Sequence, residues 1–287
     1  MGRVAVVTDS TADLPEELIR ELEITVVPLR IIFGEEVYRD REEIALEDFY
    51  RRLLAGEIAR TSQPPPADFA SVYQALFLAG KSIVSIHISG GLSGTVRSAQ
   101  AACQLVPEAK VTIIDSRLVA RALGIGVETA ARLAREGRPH EEVARLAKEC
   151  LARTRAFFSV SSLDYLQRGG RIGKAQALLG TLLNIKPLLT FEEGIICPYE
   201  KVRGKKALLR RMAEAACMAA AGEPVLCQLL HAADPEPIPE LRSLLEGTLP
   251  AGSRIIEGRV GAIVAAHAGP SVFGVVVTPL SLVRLGS

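Results

Sequence analysis

Three short polar motifs interrupt otherwise apolar sequence and carry the side chains best suited to chemistry. They are Thr61-Ser62-Gln63-Pro64, Gly90-Gly91-Leu92-Ser93-Gly94-Thr95 and His267-Ala268-Gly269-Pro270. Together they offer hydroxyls, backbone amides and one imidazole, a set that holds a small anionic or polar group. They bring no carboxylate pair, no thiol beside a base and no metal-ligand spacing, so binding is expected here rather than catalysis, with no metal and no cofactor. Ser93 stands just ahead of a helical stretch, where unpaired N–H groups and the helix dipole favour an anion. The alternative is that Ser93 only caps its own helix. A nucleophile elbow needs glycine two residues to either side of the serine; Gly91 fits, but Thr95 occupies the other position, which argues against a serine hydrolase. Thr61 and Ser62 lie in a segment that Pro64 holds extended, as ligands or as caps for the next helix. His267 sits in apolar sequence, which suits a core histidine as well as a ligand.

A basic, glycine-rich stretch, Gly169-Gly170-Arg171-Ile172-Gly173-Lys174, has some features of a phosphate loop. That motif needs glycine five positions before Gly173, where Arg168 stands, and a hydroxyl after Lys174, where Ala175 stands. Arg168, Arg171, Lys174 and Arg203, with Lys205 and Lys206, are candidates for a partner-docking face; the alternative is ordinary solvated charge. Asp9 and Asp115 fall at predicted strand ends and are expected to order loops there.

The elements that must position these motifs follow from periodicity. In the first half, apolar runs at 3–7, 24–33, 82–88 and 110–114 read as strands. Helical patterns fall at 47–54, 67–78, 94–105, 118–136 and 140–153, and residues 60–66, with three consecutive prolines, read as an extended loop. Strands alternating with helices imply right-handed βαβ units and a mainly parallel sheet, with ligands outside the carboxyl ends of the strands. After about Arg155 the pattern changes to a layered α+β arrangement. Strands are expected at 156–161, 187–191, 195–202, 225–230, 254–257 and 272–277, and a short helix at 175–183. The expected fold class is therefore α/β, an N-terminal mainly parallel sheet flanked by helices (1–155) followed by a second layered α+β domain (156–287).

Composition narrows the function. In 287 residues, 34 basic side chains nearly balance 33 acidic ones, and aromatic residues are only 5% without a single Trp, which argues against a nucleic-acid surface. Five cysteines, odd in number and without CxxC spacing, suit reduced thiols in a cytoplasmic protein. Residues 260–283 carry no charge over a length that could span a bilayer, but Gly269-Pro270, Gly274 and Pro279 cut the run into pieces. A core helix, a turn and a buried strand are expected, and no transmembrane segment. The strand beginning at residue 3 leaves no leader peptide expected.

These residues resemble a known family. Val7-Thr8-Asp9-Ser10-Thr11-Ala12-Asp13-Leu14-Pro15, Thr61-Ser62-Gln63-Pro64, Gly91-Leu92-Ser93-Gly94-Thr95, Gly169-Gly170-Arg171-Ile172-Gly173-Lys174, Leu183-Asn184-Ile185-Lys186-Pro187 and Gly258-Arg259-Val260-Gly261 occur in the order seen in DegV proteins. The resemblance covers about residues 3–279. It implies a bacterial fatty-acid-binding protein with one long-chain acyl group, palmitate- or oleate-like, in a cavity between two domains. It also implies a carboxyl group held by Thr61, Ser93 and His267, with Ser62 and the Gly94 amide close by. In some members the protein is the binding subunit of a fatty acid kinase. A separate ATP-dependent catalytic subunit then makes the acyl phosphate for phospholipid synthesis, and transient membrane contact is compatible with that role. This sequence departs from the family pattern at Gly90 and at Ala266 and Ala268, where hydroxyl residues are common, and at Val96, where an aromatic is common. On this reading hydroxyls, helix amides and a protonated His267 offset the cost of burying a carboxylate, or the acid binds neutral, its pKa raised by burial. The alternative is a phosphotransferase-type domain acting on a small hydroxylated or phosphorylated substrate through the Ser93 loop.

Overall fold

A computed structural model describes residues 4–180 and 185–284. The chain opens with β1 (Val4–Asp9), α1 (Glu16–Glu21) and β2 (Thr25–Val27). It continues through β3 (Arg30–Phe33), β4 (Glu36–Arg39), α2 (Leu46–Leu54), β5 (Ala59–Ser62), α3 (Pro66–Leu78) and β6 (Ser82–His87). Next come α4 (Thr95–Leu105), β7 (Val111–Asp115), α5 (Arg121–Arg135) and α6 (His140–Arg153). Strands β2-β1-β6-β7 form an all-parallel sheet. Its two central strands, β1 and β6, are buried along almost their whole length because helices cover both faces.

Two expectations in this half need correction. Residues 24–33 are two strands, not one. Pro28 lacks an N–H and has a fixed φ, so pairing with β1 stops at Val27 and the chain turns away into β3. The residues expected as a loop at 60–66 begin as β5, which pairs antiparallel with β3 from Ala59 to Ser62. With β4 these strands form a separate three-stranded sheet. Pro66 then starts α3, where its missing N–H costs nothing.

The second half holds β8 (Arg155–Ser159), α7 (Asp164–Arg168), 3-10 turns at Gly173–Leu178, β9 (Ile185–Glu192) and β10 (Ile195–Arg203). There follow α8 (Lys205–Ala220), β11 (Val225–His231), α9 (Ile238–Glu246), β12 (Arg254–Arg259), α10 (Ala262–Ala268) and β13 (Phe273–Pro279). The six-stranded sheet runs β10-β9-β8-β13-β11-β12, antiparallel except for the β11–β12 pair. Of the helix expected at 175–183, the described part is 3-10 turn; Leu183, Asn184 and Arg3 lie outside the described residues. The uncharged run at 260–283 divides as expected into α10, a turn and the buried β13. Among the described residues no helix is long and apolar enough to cross a membrane.

Packing ties the halves together. The largest core cluster includes Val6 and Ile86 of the parallel sheet, Leu123 of α5, and Leu166, Leu189 and Val276 from the second half. A second cluster packs α8 and α9 on the six-stranded sheet, and a third packs Phe69, Tyr73 and Ala99 on the parallel one. Gly124 lets α5 lie directly on the turn after β1, since a Cβ there would overlap the Ala12 carbonyl oxygen.

Candidate functional site

The loops at the carboxyl ends of β1, β6 and β7 are ordered by the acids the sequence places there. Asp9 accepts hydrogen bonds from the Ile88 and Thr11 amides, at 3.0 and 3.1 Å. Asp115 accepts from the amides of Gly90 and Arg117, at 3.2 and 2.9 Å. A buried relay that the sequence reading missed runs through the same region. His87 Nδ1 lies 3.0 Å from Asp9 Oδ2, His87 Nε2 lies 2.7 Å from Ser85 Oγ, and Ser85 Oγ lies 2.8 Å from the Tyr73 hydroxyl. The order acid–imidazole–hydroxyl is that of a hydrolase triad, yet Asp9, His87 and Ser85 each expose 0% of their surface. Without access for a substrate, the relay ties β1, β6 and α3 together.

Beyond these strand ends, between the parallel sheet and the six-stranded one, lies a cavity of about 440 Å³, within the usual range for ligand sites of roughly 300–1,000 Å³. Its walls are mostly apolar. Leu29, Ile88, Leu92, Val119 and Ala120 face it from the first half. Phe157, Phe158, Phe191, Ile196, Leu230, Ile263, Val264 and the stretch 272–276 face it from the second. The Phe158 and Phe191 rings stack with centroids 5.3 Å apart.

Thr61, Ser62, Gln63, Ser93, Arg171 and His267 also line this cavity, so the structure brings together residues from all three polar motifs. Thr61 Oγ1 lies 2.7 Å from His267 Nε2, joining β5 to α10. Ser93 Oγ lies 2.8 Å from Thr95 Oγ1 and accepts weakly from the Thr95 amide, the first of α4, at 3.3 Å, while Ser93 also lines the cavity. Gly94 is the residue before α4 and does not line the cavity. A Cβ at Gly94 would overlap Gln63 Oε1; its absence seats the Gln63 side chain, which donates to Ser98 Oγ at 3.0 Å.

Arg171 is half-buried at this polar end. Its Nε donates to the Leu92 carbonyl at 3.1 Å and its Nη1 to the Gly169 carbonyl, and it has no carboxylate partner among the described residues. Burial, reinforced by the Arg171 charge, pushes His267 down to about 4, so its imidazole is neutral near pH 7. The positive charge at the polar end therefore belongs to Arg171, not to a protonated His267. Of the other basic residues singled out in the sequence, Arg168 is exposed with its guanidinium 5.6 Å from the Tyr165 ring centroid. Lys174 is exposed and 3.6 Å from Glu192, and Arg203 is exposed at the end of β10. Arg60, next to Thr61 and exposed, went unnoticed because a lone arginine in a strand gives no signal.

The DegV family model, whose description is that of an uncharacterised protein, matches residues 3–280. A DegV domain-containing protein of Streptomyces coelicolor is 39% identical over 276 residues, spanning 96% of this chain and 98% of that one. The solved structure of a DegV family protein from Thermus thermophilus, described for its fatty acid binding, superposes with a TM-score of 0.90 at 37% identity, covering 97% of this chain and 100% of the other. The crystal structure of DegV from Bacillus subtilis, described as a fatty acid binding protein, superposes with a TM-score of 0.88 at 34% identity and the same coverage. With nearly its whole length matched, this chain belongs to the DegV family.

Proposed function

We propose that this protein binds one long-chain fatty acid, its hydrocarbon in the 440 Å³ cavity and its carboxylate at Thr61, Ser93, His267 and Arg171. The chain then forms two domains divided near Arg155, with the ligand between them. The observation that carries it is a greasy cavity that becomes polar at Thr61, Ser93 and His267, where Arg171 enters without a carboxylate partner among the described residues. Burying each methylene contributes roughly 0.8 kcal/mol, so a chain of about sixteen carbons supplies on the order of 10 kcal/mol gross, from which ordering and head-group desolvation subtract. Arg171 keeps the buried carboxylate ionised. In the tautomer that carries its proton on Nε2, neutral His267 donates to the Thr61 oxygen, which frees the Thr61 hydroxyl proton for the ligand. A small, wet substrate of the phosphotransferase kind fits these walls poorly.

On this reading the protein binds and orients. A separate ATP-dependent kinase supplies nucleotide and metal and converts the presented carboxylate to an acyl phosphate, docking on the exposed basic residues Arg168, Lys174 and Arg203. Native mass spectrometry of the purified protein, followed by solvent extraction, tests the first part. One acid of palmitate or oleate size per chain is expected; a chain that emerges empty and takes up no added palmitate contradicts it.

A further inference from the structure

The six-stranded sheet sets side chains against the cavity in a grid that its register fixes. Phe158, Gly274 and Leu230 stand opposite one another on β8, β13 and β11, and two residues along these strands Ala156, Val276 and Gln228 do the same. Alternate residues of a strand share a face, and the other five members of the grid all line the cavity. β8 leaves the sheet at Ser159 toward α7, which ends at Gly169 beside His267. The row holding Gln228 is therefore the one farther from the polar end.

Gln228 is 1% exposed, on a strand otherwise apolar from Val225 to Leu230. Its Oε1 accepts from Arg121 Nε at 2.9 Å, and Arg121 directly follows Ala120 of the cavity wall. That contact fixes which way the amide faces, and its Nε2 finds no acceptor among the described residues. Thr190 of β9 and Thr278 of β13, buried in the same sheet, are paired: Thr190 donates to the Ala156 carbonyl at 2.8 Å, and the Thr278 hydroxyl lies 2.9 Å from that of Thr154. A buried donor without a partner is costly. The Arg121 charge is matched by Glu128 at 3.1 Å, so the amide calls for a neutral oxygen and not a second anion. Arg121 Nη1 also lacks a partner, but it lies beside Gly124, against the turn after β1.

We infer that Gln228 forms a subsite for a neutral oxygen carried on the ligand's hydrocarbon chain, a hydroxyl or oxo group in its distal half. The inference rests on the fatty-acid reading above and widens its ligand class to oxygenated long-chain acids. Val272 and Val276 both line the cavity, a span of roughly 13 Å along an extended strand, so the oxygen sits far down the chain from the carboxylate. There the Gln228 amide donates to it. Against the purely apolar walls nearer the middle, the same oxygen is buried unpaired.

A series of hexadecanoates, each with a single oxo group moved along the chain, tests this by calorimetry against unsubstituted palmitate. In the wild type, mid-chain oxo acids should bind about tenfold more weakly than palmitate, as for one buried polar group left unpaired. A window of positions in the distal half should recover to within about threefold of palmitate, because the oxygen there is paired. Gln228→Leu should erase that window. Gln228→Glu keeps an acceptor for Arg121 and removes the N–H donor, and it should erase the window too. Both variants should hold palmitate within about threefold of the wild type, since the apolar burial that binds it is kept. A wild type without a distal window means that water alone serves the amide, which overturns the subsite; so does a window that survives both substitutions. A wild type that binds no palmitate overturns the fatty-acid reading instead, and the subsite falls with it.

Discussion

At the scale of single residues, the proposed carboxylate site divides its labour: Arg171 would carry charge, while Thr61 and His267 would carry hydrogen-bonding geometry. An NMR titration of the His267 ring should show a midpoint near 4 without ligand and a higher one with palmitate bound, because a carboxylate nearby favours the imidazolium. A midpoint above 6 in both states would contradict the burial of the ring beside Arg171. Thr61→Val keeps the volume and removes the hydroxyl; palmitate affinity should fall about five- to tenfold, as for one hydrogen bond of roughly 1 kcal/mol. Unchanged affinity would take Thr61 out of the site. The sequence shows the hydroxyls and the imidazole because they interrupt apolar runs. It hides Arg171's inward turn, since a basic residue in a glycine-rich stretch reads as solvated until the Leu92 and Gly169 carbonyls are seen around it.

At the scale of elements, the site depends on how closely α7 and α10 approach. A Cβ at Gly169, which ends α7, would overlap His267 Nδ1, while the backbone there (φ −73°) accepts any residue. Gly169→Ala should therefore weaken palmitate binding by an order of magnitude while circular dichroism stays native, since about 1 kcal/mol of displacement is too little to unfold the chain. Retained affinity would mean the ring has room to move. At its other end α10 is tied down by Asp13, whose Oδ2 accepts from the Gly261 amide at 2.9 Å. Burial raises Asp13 from 3.8 to about 7, with the Gly261 bond opposing and Asp40 adding to the rise. A raised folded-state pKa means that the stability from Asp13 is complete below about pH 3.8 and lost as pH climbs through 7. Asp13→Asn keeps the acceptor and removes the titration, so its Tm should gain on the wild type between pH 5 and pH 8. Parallel Tm curves would contradict this. Most elements are legible from periodicity alone. The small sheet is not, because its strands are short, β4 is largely exposed, and Pro28 divides what looks like one apolar run.

At the scale of the molecule, the cavity itself is illegible in sequence, because it is an absence left by contacts between residues far apart in the chain. Ile88, Phe158, Leu230 and Val276 look like ordinary core until the two sheets are seen to stop short of each other. The largest core cluster crosses the expected boundary near Arg155. Thermal unfolding should therefore show one transition, not two, and its midpoint should rise with palmitate as binding favours the folded state. Two separable transitions would make the halves independent. The contact between Thr61 and His267 spans 206 positions. A polypeptide still growing on the ribosome therefore lacks one half of this contact until α10 has been made. On the fatty-acid reading, cargo is loaded only after synthesis has passed that helix, so an occupied molecule is one in which both partners of the contact already exist.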